Sequence, residues 1–243
     1  MNKNGVSIAI PIYNNGSKIY PVLSTLAYTL QHDYEIIVVY DDENDPTLST
    51  IDDLIFVNNN IIKIKNSSEG PVSAIITAIE KAKYCYFGIW MSYHIDPEGK
   101  INDMVKLLDE GADLVSANRF SSKKTHGRGF YVKVFLSKWG NFFISLLAYS
   151  HLHDFTTSIK IFRLPKLKEI LHSNSFNYSG WSILTFWTLN FVKNKFIIKE
   201  VNFYENNLHF VYGKSKFKIL KSLQGYIYCL KLALFIYLER KSN

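Results

Sequence analysis

The stretch Tyr34-Glu-Ile-Ile-Val-Val-Tyr-Asp-Asp-Glu-Asn-Asp-Pro-Thr47 decides the fold class, because an apolar run of strand length ends abruptly in carboxylates. The opening segment Val6-Ser-Ile-Ala-Ile-Pro-Ile-Tyr-Asn-Asn15 has the same pattern, an apolar run followed by Tyr13 and Asn14. In an open α/β sheet, ligands bind just beyond the carboxyl ends of the strands. The two strand ends therefore predict a pocket for a polar, hydroxyl-rich ligand.

The first half of the chain alternates strand and helix patterns, which predicts a largely parallel sheet with crossover helices. Strands are predicted near residues 6–12, 34–40, 61–64, 84–90 and 113–117, and helices near 17–31, 46–57, 71–81 and 97–110. The second half adds two apolar, aromatic stretches at 130–152 and 217–238, both interrupted by lysines. Such interrupted stretches are too polar to span a bilayer. We expect amphipathic helices that either pack on the sheet or lie at a membrane surface.

Composition is typical of a packed globular protein, with 17 Phe and 16 Tyr but only 12 Gly among 243 residues. The formal net charge of +7 indicates either ordinary solubility or attraction to anionic lipid or phosphorylated ligands. No nucleic-acid-binding motif accompanies the charge, so we expect no nucleic-acid partner. The start of the chain has no signal-peptide pattern, and Cys85 and Cys229 are expected to be buried, reduced thiols. A cytoplasmic protein is predicted.

The two strand-end motifs resemble those of family 2 glycosyltransferases, near the dolichyl-phosphate-mannose-synthase-like branch. In that family the first strand reads like Ile-Pro-x-Tyr-Asn, and the second ends in an acidic segment. The resemblance reaches to about Lys216 and implies a GT-A-like (Rossmann-like) α/β fold, with a mostly parallel sheet flanked by helices and C-terminal amphipathic helices. It divides the chain into a glycosyltransferase domain, 1–216, and an amphipathic helix, 217–243, which is part of that domain or appended to it.

The resemblance implies that both strand ends hold the base and ribose of a nucleotide-sugar. Its donor-binding candidates are Pro11, Tyr13, Asn14, Asp41, Gly70, Ser92, Arg119, Arg128 and Lys216. Carboxylates accept well from ribose hydroxyls, and an arginine can clamp phosphate oxygens with two parallel hydrogen bonds. Asp45 is expected to cap the second helix instead.

The fourth strand departs from the family pattern. Relatives carry Asp-x-Asp or a single Asp there, which binds the divalent metal at the donor diphosphate. When Ile89-Trp-Met-Ser-Tyr-His-Ile-Asp-Pro-Glu98 is aligned on its Pro-Glu pair, those positions become Trp90 and Ser92, which are poor ligands for Mg²⁺ or Mn²⁺. Three alternatives stay open: Mg²⁺ or Mn²⁺ bound by Asp96 or His94 through a shifted loop, neutralisation by Arg and Lys without metal, or loss of catalysis. No residue is assigned as a metal ligand.

The segment His153-Asp-Phe-Thr-Thr-Ser-Ile-Lys-Ile-Phe-Arg163 resembles the family's sugar and acceptor side, which makes Asp154 the catalytic candidate. Asp154 would act as general base on a hydroxyl acceptor, or would orient sugar or metal if the acceptor is an ionised lipid phosphate. A simple turn cap is the structural alternative.

The resemblance implies an inverting glycosyltransferase that moves a sugar from a nucleotide-sugar to a polyprenyl-phosphate or glycan acceptor. Peripheral contact with an anionic membrane, at its cytoplasmic inner face, is part of this expectation. The alternative is a non-catalytic nucleotide-sugar-binding or scaffold protein with a degenerate site. A nucleotidyltransferase is a third reading, although Asn14-Asn-Gly-Ser-Lys18 is a poor version of the Gly-rich basic loop that such enzymes carry.

Overall fold

A computed structural model of the protein describes residues 3–96, 98–120, 131–173, 180–203 and 219–242. The strands in these ranges are β1 (Lys3–Pro11), β2 (Tyr34–Tyr40), β3 (Ile61–Lys65), β4 (Tyr84–Ile89), β5 (Leu114–Asn118), β6 (Lys160–Arg163) and β7 (Ile198–Asn202). A short 3-10 turn, Gly16–Ile19, precedes α1 (Tyr20–Thr29). The later helices are α2 (Thr47–Val57), α3 (Pro71–Lys81), α4 (Lys100–Asp109), α5 (Tyr131–Ala148), α6 (Leu164–Ser173), α7 (Ser182–Lys193) and α8 (Ile219–Ser242).

The strands form one mixed sheet in the order β3-β2-β1-β4-β6-β5-β7. Among the strands described, only β6 runs antiparallel to its neighbours, β4 and β5. The other pairs are parallel, so their carboxyl ends share one edge of the sheet, and β6 begins at that edge. The expected α/β fold with a mostly parallel sheet is confirmed.

The central strands form because their sequences are mainly apolar, as strands covered on both faces require. The buried polar residues Ser7 of β1 and Glu35 of β2 hydrogen-bond to each other at 2.7 Å. In β2, Ile36 to Val39 are buried, and β2 has the bounds predicted from the sequence. On one face of the sheet, α1, α2 and α4 cover a core that includes Leu23, Ile51 and Met104. On the other face, α3, α5, α6, α7 and α8 cover a second core.

Helix α7 is enclosed by its neighbours. Its residues from Ser182 to Val192 are all buried, because α8 packs over the side of α7 that faces away from the sheet. The close contact is possible because α8 presents the small residues Gly225, Cys229 and Ala233 on its inner side. This packing favours α8 as part of the main domain, and the division at residue 216 stays a prediction.

Two predicted helices begin later than the sequence indicated. The segment 17–31 starts as the 3-10 turn, and α1 carries Pro21 in its first turn, where proline is tolerated. Helix α4 begins at Lys100 rather than at 97. Within the described ranges, no helix is both long enough and apolar enough to cross a membrane.

Candidate active site

The loop after β1 is braced against the loop after β2. The N–H of Asn14 donates to Asp45 Oδ2 at 2.8 Å, and the N–H of Asn15 donates to Thr47 Oγ1 at 2.9 Å. Asn14 has a φ of 52°, which this hydrogen bonding supports. Asp45 also accepts the Thr47 N–H at the start of α2, so its expected capping role is confirmed. The arrangement leaves the Tyr13 side chain largely exposed at the sheet edge.

Asp41 joins the ends of β2 and β3 to the loop before α3. Its Oδ1 accepts from Asn66 Nδ2 at 2.7 Å, and its Oδ2 accepts from the N–H of Gly70 at 3.1 Å. Gly70 has a φ of 103°, a conformation that side-chain-bearing residues rarely adopt. Asp41 is half-buried, and a carboxylate has about four acceptor sites, so capacity for a ligand hydroxyl remains beside these two bonds.

Two buried side chains, Trp90 and Ser92, stand where the resemblance would place metal-binding acids. Trp90 is fully buried, donates its indole N–H to the carbonyl of His94 at 2.8 Å, and packs edge-on against Phe203 at 5.6 Å. Ser92 is also buried and lies two residues beyond Trp90. An indole and a hydroxyl offer no anionic oxygen to Mg²⁺ or Mn²⁺.

Asp96, the nearest carboxylate to follow, is used structurally. Its two oxygens accept the N–H groups of Lys100 and Ile101, both at 2.9 Å, at the start of α4. Burial raises its pKa above the ordinary value, although these two hydrogen bonds act in the opposite direction. Across the part of the chain that is described, no three His, Cys, Asp or Glu side chains cluster as metal ligands. Among the described residues of this strand end, Trp90 and Ser92 therefore offer no carboxylate, and Asp96 is engaged at the start of α4.

Arg119 and Asp154 form a buried pair where β5 ends and β6 is about to begin. Arg119 Nε donates to Asp154 Oδ2 at 2.7 Å and Nη2 donates to Oδ1 at 3.0 Å, a two-point contact. Asp154 has no exposed surface, whereas 23% of the Arg119 side chain is exposed. Burial opposes ionisation of Asp154, but the charge and hydrogen bonds of Arg119, together with Lys160, outweigh it and hold its pKa below the ordinary value.

Lys160, the first residue of β6, is a second cation that acts on Asp154. It is fully buried, and its Nζ donates to Ser116 Oγ at 2.9 Å. Burial lowers its pKa to about 8, and the negative charge of Asp154 limits the fall. Sequence reasoning did not single out Lys160, although it stands in the segment that resembles the family's acceptor side.

Glu200 of β7 holds the segment before Asp154 in place. Its Oε1 accepts the N–H groups of His153 at 2.7 Å and Asp154 at 2.9 Å. Its Oε2 lies 2.8 Å from His153 Nδ1. Glu200 was not predicted from the sequence, and a single glutamate within a short edge strand gave no signal for it.

Helix α5 supports the same segment from the other side. Asn141 is buried, accepts the N–H of Phe155 at 2.7 Å and donates to Thr156 Oγ1 at 3.0 Å. Thr156 Oγ1 also accepts from Arg119 Nη2 at 3.0 Å. The inner face of α5 is thus linked through Thr156 to the guanidinium of Arg119.

The predicted site residues fall into two groups at one sheet edge. Pro11, Tyr13, Asn14, Asp41 and Gly70 lie at or after the ends of β1 to β3. Ser92 and Arg119 follow β4 and β5, and Asp154 precedes β6. Arg128 and Lys216 lie outside the described residues, so their placement stays a prediction. Cys85 and Cys229 are unpaired thiols. Cys229 is buried as expected, and burial raises its pKa to about 12, whereas Cys85 is only partly buried.

Dolichol-phosphate mannosyltransferase of Pyrococcus furiosus is 25% identical over 181 residues, which are 74% of this chain and 51% of that protein. The chain thus spans about half the length of this curated relative.

Two solved structures show the same fold at low identity. Glucosyl-3-phosphoglycerate synthase from Mycobacterium tuberculosis, crystallised with Mn²⁺, UDP and phosphoglyceric acid, matches with a TM-score of 0.67 and 12% identity. That match covers 96% of this chain and 78% of the other. TarS of S. aureus in complex with UDP matches with a TM-score of 0.54 and 17% identity, over 81% of this chain and 57% of the other. These likenesses support the GT-A-like fold.

The model of the family described as "Glycosyl transferase family 2" matches residues 7–171. That range contains the two strand-end motifs, the Arg119–Asp154 pair and Lys160, and it makes up more than half of the chain. The family expected from the strand-end motifs is confirmed: this chain belongs to glycosyl transferase family 2.

Proposed function

We propose that this protein transfers a sugar from a nucleotide-sugar to a polyprenyl-phosphate or glycan acceptor, with inversion at the anomeric carbon. Membership of glycosyl transferase family 2 supports the transfer chemistry. The name of the Pyrococcus furiosus relative supports a lipid-phosphate acceptor. Two of the glucosyl-3-phosphoglycerate synthase structures contain UDP or UDP-glucose. The acceptor oxygen attacks the anomeric carbon while the bond from that carbon to the diphosphate oxygen breaks, and one in-line displacement inverts the centre.

The donor nucleotide would bind at the ends of β1, β2 and β3. Asp41 would accept from ribose hydroxyls, since its two observed hydrogen bonds orient it without using its full acceptor capacity. Tyr13 is exposed beside it and offers a ring face for a base, with Pro11 and Asn14 fixing the loop. Gly70 would let the start of α3 approach the ligand closely.

Cationic side chains would neutralise the diphosphate leaving group without a divalent metal. Arg119 lies at the sheet edge with part of its side chain exposed, and Asp154 and Thr156 fix the plane of its guanidinium. Ser92, Arg128 and Lys216 complete the proposed phosphate contacts. Trp90 and Asp96 support this assignment, because one fills the family's acidic position and the other caps α4.

Asp154 would position Arg119 rather than remove a proton. A general base must reach the acceptor hydroxyl and have a pKa near the working pH. Asp154 is fully buried, its pKa is held below the ordinary value, and both of its oxygens accept from Arg119. An ionised lipid phosphate needs no base, so this geometry favours the lipid-phosphate acceptor over a hydroxyl acceptor.

The alternative is a nucleotide-sugar-binding or scaffold protein without turnover, and the buried Trp90 at the acidic position is the observation that favours it. We prefer catalysis because hydrogen bonds from the surrounding fold fix the Arg119–Asp154 pair in position. Glu200 and Asn141 hold the segment around Asp154, and Thr156 holds the guanidinium of Arg119. This fixed pair is the observation on which the proposed function rests. The free thiols support a cytoplasmic location.

A thermal-shift screen followed by a transfer assay tests this function. UDP-, GDP-, CDP- and dTDP-sugars are each tested with Mn²⁺ or with EDTA. At a ligand concentration of about 100 Kd, we expect one donor to raise the Tm by about 5–10 °C in both conditions. Transfer of the labelled sugar to a polyprenyl phosphate is then measured for that donor.

Matched variants sharpen the result. Arg119→Lys keeps the charge but loses the planar fork, and we expect kcat to fall about a hundredfold. Lys106→Met removes an exposed lysine of α4 and should leave kcat unchanged. Donor binding without turnover on any acceptor would favour the non-catalytic alternative, and absence of binding by every nucleotide-sugar would refute both. A Tm shift that requires Mn²⁺ would refute only the metal-free assignment.

A further inference from the structure

Helix α5 carries its most aromatic face outward. Its outward side chains are Phe135, Trp139, Phe142, Phe143 and Leu146, and Tyr149 continues the row just beyond the helix; all six are exposed. They recur at intervals of three and four residues, which is the spacing of one helix face. The inner side of α5 holds Asn141, Ile144 and Ala148, all buried. Among the side chains of α5 that the structure describes, the aromatic ones are therefore left uncovered.

The exposed rings contact one another. Trp139 lies 5.8 Å from Phe135, 6.1 Å from Phe142 and 5.9 Å from Phe143, measured between ring centroids. Aromatic rings at these separations attract one another, so the rings form one continuous patch along the helix. A contiguous exposed aromatic surface of this kind is uncommon on a protein that has no binding partner there.

Helix α8 extends this surface. It packs against α5, and Leu230, Leu234 and Leu238 are exposed at intervals of four residues. At the end of α8, Tyr237 stacks on Tyr149 at 5.5 Å, and Arg240 donates to the carbonyl of Tyr149 at 3.3 Å. We call the outward faces of α5 and α8, from Phe135 to Tyr149 and from Leu230 to Leu238, the aromatic surface.

A wide, open depression of about 520 Å³ lies at one end of the aromatic surface. Its apolar wall consists of Phe142, Leu146 and Tyr149, and its polar wall includes His151 and Arg240. An apolar wall beside a guanidinium matches a phospholipid, whose glycerol and acyl groups adjoin an anionic phosphate.

The excess of positive charge on α5 and α8 favours an anionic bilayer over a second copy of this chain. By sequence, α5 has two lysines and no acidic residue, and α8 has three lysines, one arginine and one glutamate. Two copies of this chain paired through the aromatic surface would bring these like charges together. An anionic bilayer would attract them, at about 1 kcal/mol for each basic residue near the membrane surface.

We propose that the aromatic surface docks on an anionic phospholipid bilayer, with the rings of α5 in the interface and Arg240 beside a lipid phosphate. On the inner face of the same helix, Asn141 donates to Thr156, which also accepts from Arg119. Docking would place a membrane-borne acceptor phosphate near Arg119, and this last consequence alone rests on the proposed function.

Vesicle binding by the full chain, with no donor present, tests the docking. The probes are vesicles of phosphatidylcholine alone and vesicles with about 30% phosphatidylglycerol, at about 0.1 M salt. We expect binding at least about tenfold stronger to the anionic vesicles, weakening as salt is raised. Equal binding to both vesicles, or no binding to either, would overturn the proposal.

Substitutions in the aromatic surface distinguish docking through that surface from nonspecific adsorption of the protein to vesicles. The double variant Trp139→Ser/Phe142→Ser should weaken binding about tenfold or more, because two interfacial rings are lost. Trp139→Phe keeps a ring, so binding should stay within about twofold while the change in tryptophan emission on binding is lost. Phe56→Ser alters an equally apolar, exposed residue on α2, across the sheet, and should change nothing.

Sedimentation velocity distinguishes a second copy from a membrane. A dimer that the double variant dissociates, without vesicle binding by the unsubstituted chain, would overturn the proposal and assign the aromatic surface to self-association. These results do not depend on sugar transfer. A chain that binds vesicles but shows no turnover would leave the docking surface standing and count only against the proposed function.

Discussion

Replacing Asp154 by Asn tests whether the Arg119–Asp154 pair holds the site together. Asn has the same shape as Asp, so the change removes charge and acceptor capacity and leaves the volume in place. Arg119 would lose its two-point partner, and the fully buried Lys160 would lose the nearest opposing charge. Glu200 would remain as the other acid that acts on Lys160.

The magnitude follows from burial. Removing one partner of a buried ion pair costs about 3–5 kcal/mol, because the other charge stays buried without compensation. Arg119 keeps some contact with solvent, since 23% of its side chain is exposed, so we expect a cost near the lower end, about 3 kcal/mol. In a domain of this length, 1 kcal/mol shifts the Tm by about 2–4 °C. The Asn variant should therefore melt about 6–12 °C lower at neutral pH.

Calorimetric melting of both proteins measures this, with Asp103→Asn as the control. Asp103 contacts Lys100 at 3.2 Å in an exposed pair, and its loss should move the Tm by less than about 2 °C. The Asp154 carboxyl has a lowered pKa, so its stabilising effect is complete above the ordinary pKa of about 3.9 and is lost as the pH falls through the lower folded-state value. The gap between wild type and Asp154→Asn should narrow in acid. A shift at neutral pH no larger than the control's would refute the reasoning.

Two other substitutions probe the site. Lys160 has a folded-state pKa of about 8, below its unfolded value of about 10.4, so its burial destabilises the fold below pH 8 and the penalty disappears as the pH rises through that interval. Wild type should gain about 3 kcal/mol relative to Lys160→Met between those pH values in urea unfolding, and a constant difference would contradict the assignment. Asp41→Ala should weaken nucleotide binding about 10- to 100-fold by calorimetry, the loss of a hydrogen bond to a charged group. Unchanged affinity would remove Asp41 from the donor site.

Strands β1 to β5 were predicted to within three residues of their observed bounds, including β3 at one edge of the sheet. Their signal is a mainly apolar run of strand length that stops at polar turn residues. The bounds of β2 at Tyr34 and Tyr40 show this directly. By contrast, β6 has four residues and begins with the buried Lys160, so neither alternation nor a continuous apolar run marks it.

The composition of the site was easier to predict than its contacts. Asp41, Arg119 and Asp154 were candidates because they follow strands or stand in motifs that resemble the family's. The direct contact between Arg119 and Asp154 was not predicted, since it depends on β6 running antiparallel and so beginning at the edge where β5 ends. Asp96 looked like an available carboxylate, and only the structure shows it at the N-terminus of α4.

The enclosure of α7 has a consequence for biosynthesis. During synthesis, α7 is made before α8, which starts at Ile219. Until α8 packs on it, the surface of α7 around Ser182 and Phe186, which contact Cys229 and Tyr228 in the folded protein, is exposed to water. An uncovered apolar helix of this kind is a target for chaperones and for aggregation. Chains that stop short of Cys229 should accumulate in inclusion bodies even though every strand of the sheet has already been translated.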